Sequence, residues 1–163
     1  MSSHSYSFHP RPTTGGLVQV SSKGPTSRTQ AALQACLRSA KPEEQYFFWA
    51  ADEGILYPEG IHQEWGLPLN RLLLVKARDA PEVWRLGLEA VQTGLFHSLF
   101  LRASRACLSA HLRKLQLAAE KNRTTVFLIT NASLPHWTLK ETIEAGTYAH
   151  ALHPQSPTPF RLR

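Results

Sequence analysis

A chain of 163 residues, 42% of them apolar, is long enough for one domain that buries roughly two-thirds of its unfolded surface, so a core needs neither disulfides nor metals. Eighteen Lys and Arg against twelve Asp and Glu leave a formal charge of +6, an excess that suits contact with nucleic acid or with an acidic protein face. No apolar run reaches the roughly 18–20 residues of a membrane helix, and the polar residues 1–12 lack the apolar stretch of a secretory signal. The two cysteines, Cys36 and Cys107, are too few for a disulfide framework and wrongly spaced for zinc, so the expected location is a reducing cytoplasm, with no membrane partner.

Residues 1–15 are Ser-, Pro-, Thr-, Gly- and His-rich without a period and read as a flexible arm. Leu17-Val18-Gln19-Val20 is a short apolar strand, followed by a helix over 30–40 with Ala31, Leu33, Ala35, Cys36 and Leu37 near helical spacing. Tyr46-Phe47-Phe48-Trp49-Ala50 is a nearly continuous aromatic run, the pattern of a strand covered on both faces. A weaker helix spans 57–65 and ends near Gly66 and Pro68. Leu72-Leu73-Leu74-Val75 reads as another buried strand.

Asp79 can cap the next helix, with Pro81 in its first turn and a stop at Gly94; its apolar stripe is Val83, Trp84, Leu86, Leu88 and Val91. Leu99-Phe100-Leu101 is a fourth strand. The cleanest amphipathic helix runs over 109–121, with Leu112, Leu115 and Ala119 on one side. Thr125-Val126-Phe127-Leu128-Ile129 is the fifth strand. Residues 146–163 contain Pro154, Pro157 and Pro159 and read as a tail without regular structure. The folded domain is therefore 16–145, an α/β sandwich of three layers with a mostly parallel five-stranded sheet.

In such sheets ligands lie beyond the carboxyl ends of the strands. The loop after the first strand, laid on the phosphate-loop pattern G-x-x-x-x-G-K-[ST], puts Ser22 and Ser27 where glycines wrap the phosphates, Arg28 where lysine stands, and Thr29 on the magnesium-side hydroxyl. Gly24 and Pro25 lie inside it. Two readings stand: a degenerate phosphate loop, or a polar strand-to-helix turn with a cap.

The run from Leu17 through Gly24-Pro25 to Thr29 and Leu33 resembles the phosphate-loop region of RecA-family recombinases. Residues 47–58, Phe-Phe-Trp-Ala-Ala-Asp-Glu-Gly-Ile-Leu-Tyr-Pro, resemble the second RecA strand and its acidic segment, and residues 65–76 resemble the passage into the third. Residues 115–130 look most like the ImuA mutagenesis accessory proteins and their SulA cell-division relatives. The likeness spans about 16–132 and implies a RecA-like fold derived from the P-loop NTPases.

A RecA-like ATPase holds its magnesium water shell with an acid at the end of the fourth strand. Here that place is taken by Arg102, whose charge repels the metal, and ATP hydrolysis is not expected. Asp52 and Glu53 stand where the family's catalytic glutamate would follow the second strand; each reads either as a remnant base or as a loop acid or cap. Asn131, at the end of the fifth strand, reads equally as a γ-phosphate sensor or as a plain polar strand end. No cofactor is expected, although Arg28, Thr29 and a helix N-terminus leave room for weak ATP binding.

The eight histidines are scattered without metal-ligand spacing, so no metal site is expected. Arg102, Arg105, Arg113, Lys114, Lys121 and Arg123 form a basic stretch interrupted only by Glu120. The expectation is that much of this charge shares one region of surface, either a solvated helix face or a secondary contact for phosphates. Only about seven residues separate the fourth strand from its helix, too few for the long DNA-reading loop of RecA.

Three functions follow from the resemblance. The first is an ImuA-like protein-binding accessory of translesion synthesis in the SOS response, partnered by RecA or an error-prone polymerase-like subunit. The stretch from Arg78 to Trp84 and the helix through Leu115 and Glu120 favour it. The second is a SulA-like inhibitor that caps FtsZ, and the third a surviving ATP-binding enzyme. Trp84 fits the core by its spacing, while Trp137, beside Pro135, is the candidate for a partner contact.

Overall fold

A computed structural model describes residues 15–22, 28–38, 40–54, 56–130 and 141–145. The strands are β1 (Gly16–Ser22), β2 (Tyr46–Ala51), β3 (Leu72–Lys76), β4 (Phe96–Arg102), β5 (Thr125–Ile129) and β6 (Glu141–Ala145). The helices are α1 (Arg28–Leu37), α2 (Pro58–Trp65), α3 (Ala80–Thr93) and α4 (Ser109–Lys121), with a short 3-10 turn at Leu69–Arg71. The expected arm, apart from Gly15, and the Pro-rich tail fall outside the described residues, as do Gly24, Ser27, Asn131 and Trp137.

The strands form one sheet in the order β3-β2-β4-β5-β1-β6, and every neighbouring pair is parallel. Because successive side chains of a strand point to opposite faces, the central strands divide their apolar residues between two cores. Phe48, Ala50, Leu99, Leu101, Val126 and Leu128 pack with Val83, Trp84, Leu112 and Leu115 beneath α3 and α4. Phe47, Trp49, Phe100, Phe127 and Ile129 pack with Ala32, Leu33, Cys36 and Ile61 beneath α1 and α2. The result is a three-layer α/β/α sandwich.

On the α1/α2 face an aromatic ladder crosses three strands in register. Trp49 stacks on Phe100 at 5.0 Å, and Phe100 stacks on Phe127 at 5.3 Å; these are the directly paired positions of β2, β4 and β5. Each such contact adds about 0.5–1.5 kcal/mol beyond area burial. On the other face, α3 lies so close to β4 that a Cβ at Gly87 would collide with the Leu101 side chain. Glycine here serves close packing.

α3 begins and ends where local chemistry says it should. The Asp79 side chain accepts the Glu82 N–H at 2.9 Å, and the Glu82 carboxylate in turn accepts the Arg78 N–H at 2.7 Å. That Arg78 N–H, then the Arg78 guanidinium, holds the Glu82 carboxyl below its ordinary pKa. At the other end Gly94 takes φ 68°, and its N–H bonds the Val91 carbonyl, the left-handed stop for which glycine is suited.

Two features differ from the sequence reading. β3 is an outer strand with Leu73 51% exposed, because an edge strand has only one sheet neighbour and is covered incompletely. β6 adds a sixth strand beside β1. Its Glu-Thr-Ile-Glu-Ala sequence holds one large apolar residue and offered no hydrophobic run to detect.

Candidate functional site

The carboxyl ends of β1, β2 and β4 lie at one edge of the sheet, where a RecA-like nucleotide site would stand. Ser22 ends β1, and Arg28 and Thr29 open α1, both half-buried. Gly24 and Ser27 belong to the loop outside the described residues.

At the end of β2, Asp52 is committed to internal bonds. Its carboxylate accepts the Ser104 backbone N–H at 3.0 Å through Oδ1 and 3.3 Å through Oδ2, and also accepts the Ser104 hydroxyl. The Asp52 N–H donates to the Arg102 carbonyl at 3.3 Å, and Lys76 Nζ donates to the Asp52 carbonyl at 2.9 Å. Asp52 thus acts as a clamp between the loops that leave β2 and β4, in keeping with the loop-acid reading. Glu53, next to it, is exposed.

Arg102 is the last residue of β4, so the fourth strand does present a cation at its carboxyl end. Its guanidinium lies against Gly54, where an added Cβ would sit 2.9 Å from Nη1 and where φ is +78°. The positive φ is what calls for glycine at position 54, since the guanidinium end of Arg102 is flexible and could shift. At about 4 Å and an effective dielectric of about 20, each unit of like charge repels by about 4 kcal/mol. A cation at the end of β4 therefore works against a divalent ion at that position.

Sequence reasoning missed Ser104 and Gly54. Ser104 lies in a polar loop 52 residues from its partner, and nothing local marks the pair. Among the described residues, no group of three or more His, Cys, Asp or Glu stands where it could hold a metal ion.

The basic stretch is spread along β4, the loop after it and α4. Arg102 and Arg105 lie at the carboxyl edge of the sheet and Arg113 and Lys114 in the first half of α4. Lys121 ends that helix, about 10–12 Å from Arg113 and Lys114 at 1.5 Å per residue, and Arg123 follows just beyond it. Arg113 instead donates to the neutral Gln116 at 2.8 Å. Arg123 adopts φ 52°, and its backbone leaves so little room beside Gly15 that a Cβ there would sit 2.8 Å from Arg123 Cα.

No protein-family model matches the chain, and no curated protein matches it. Among solved structures it is similar to SulA from Pseudomonas aeruginosa, with a TM-score of 0.54 and 21% identity over 70% of this chain and 98% of that one. It is similar also to the RadB recombinase, with a TM-score of 0.52 and 22% identity over 71% of this chain and 60% of that one. The chain thus spans about three-fifths of RadB. The shared feature is the fold, which is RecA-like.

Proposed function

We propose that this chain is a RecA-like protein-binding module of the DNA-damage response, an ImuA-like accessory of translesion synthesis that does not hydrolyse ATP. The observation that carries the loss of hydrolysis is Arg102 at the carboxyl end of β4, seated against Gly54 beside an Asp52 already bonded to Ser104. A metal-holding acid is replaced by a cation, and the Asp52 carboxylate is bonded to Ser104. The damage-response part rests on the resemblance of residues 78–84 and 115–130 to ImuA proteins. The expected partners are RecA or an error-prone polymerase-like subunit.

A second reading, a SulA-like inhibitor of FtsZ, is favoured by the match that covers 98% of the SulA chain. Label-free titration of the purified chain against RecA and FtsZ from its own host separates the two. Binding to RecA alone supports the accessory role. Binding to FtsZ alone replaces it with the division inhibitor, and magnesium-dependent ATP turnover above background overturns both.

A further inference from the structure

α3 and α4 follow parallel strands and so run side by side with their N-termini at the same end. Between their first halves lies an apolar groove of about 420 Å³, floored by Trp84, Leu88 and Leu115. That volume falls within the roughly 300–1,000 Å³ of ordinary binding clefts. The Trp84 indole N–H donates to the Arg105 carbonyl at 3.2 Å, which fastens the loop before α4 against α3 and holds the groove open in advance. Leu108 also lines it and is 71% exposed.

The two rims differ in charge. On α3, Arg85 is neutralised between Glu82 at 3.3 Å and Glu89 at 2.8 Å. On the α4 side there is no Asp or Glu from residue 103 to 119, and none in the first turn of the helix. His111 and Lys114 are exposed on this rim, and Lys114 makes no ion pair among the described residues.

We propose that this groove docks an acidic amphipathic helix of a partner protein. Two apolar side chains one turn apart would enter it, and carboxylates would face Lys114 and His111. The seven-residue step from Pro81 to Leu88 spans about 10 Å, which leaves room for two anchors at i and i+4, about 6 Å apart. Charge complementarity selects this occupant over the chain's own C-terminal residues, since 145–163 contain Arg161 and Arg163 and no acid.

The test uses the full isotope-labelled chain and synthetic helical peptides of about twelve residues, with Leu at two positions four apart and Glu, Gln or Lys elsewhere. The Glu peptide should move the Trp84 indole N–H resonance, and the Gln peptide should bind at least about threefold more weakly. Lys114→Glu should invert the preference between Glu and Lys peptides without lowering the melting temperature. Equal binding of Glu and Lys peptides, or no movement of the indole resonance by any of them, overturns the proposal. So does an indole resonance that follows protein concentration alone, which indicates a second copy, or one shifted by Phe160→Ala without peptide, which indicates the chain's own tail. These peptides report on the groove whether or not RecA or FtsZ binds.

Discussion

The carboxylate of Asp52 accepts both the backbone N–H and the hydroxyl of Ser104, which joins the loop after β2 to the loop after β4. Those strands are neighbours in the sheet, so the clamp fixes the geometry of the edge where a RecA-like nucleotide site would stand. An acid bound in this way is a structural acceptor. Asp52→Ala should lower stability by about 1–2 kcal/mol, seen as a lower urea midpoint with an unchanged slope. Asp52→Asn should recover part of that loss. An unchanged midpoint in Asp52→Ala would show that the clamp contributes nothing.

Trp84 serves as both core residue and hydrogen-bond donor, at 6% exposure. Trp84→Ala should cost about 3–5 kcal/mol through the cavity it leaves. Trp84→Phe keeps most of the volume and should cost about 1–2 kcal/mol, mainly from the Arg105 carbonyl left without its donor. Chemical denaturation of the pair distinguishes packing from hydrogen bonding, and a negligible loss in Trp84→Phe would remove the hydrogen bond from the account.

Gly87→Ala sets two effects against each other. Alanine favours a helix interior by about 1 kcal/mol over glycine, but its Cβ would strike Leu101, and overpacking costs about 1–3 kcal/mol. The collision should win, and the melting temperature should fall. A rise would mean that α3 shifts off β4 without penalty.

Burial pushes the Cys36 thiol up from 9.0 to about 12, partly offset by a hydrogen bond with Ser98. Between those values the folded protein keeps the proton that the unfolded chain loses, so stability is fully present below pH 9 and falls as pH rises towards 12. At about 1.4 kcal/mol per pH unit the loss is on the order of 4 kcal/mol at most. Denaturation of Cys36→Ala across pH 8–11 should give a shallower decline than the parent, and parallel profiles would contradict this account. Cys107, half-buried and raised to about 11 by burial, should also react slowly with thiol reagents at neutral pH.

Magnesium-ATP should produce no appreciable thermal shift, because Arg102 occupies the end of β4. Stabilisation that grows with ligand concentration would mean that the edge accepts the metal despite its charge.

Much of the fold is legible without coordinates because its signals are local. Asp79 and Gly94 bracket α3 through contacts a few residues apart, and the amphipathic stripe of Leu112, Leu115 and Ala119 delimits α4 at the observed 109–121. Alternation in β2, β4 and β5 assigns each apolar residue to one of two faces. Arg102 at a strand end is visible for the same reason.

What only the tertiary structure decided is non-local. The order β3-β2-β4-β5-β1-β6 depends on parallel pairings between distant segments, and β6 is recognised by its place beside β1 rather than by its own hydrophobicity. The Asp52–Ser104 clamp and the fit of Arg102 over Gly54 need two loops brought together by the β2–β4 pairing. The groove that α4 forms with α3 exists only once the two helices are neighbours. Backbone preference and periodicity act within a few residues and can be read along a chain, whereas a site depends on distances between residues that meet only in the folded state.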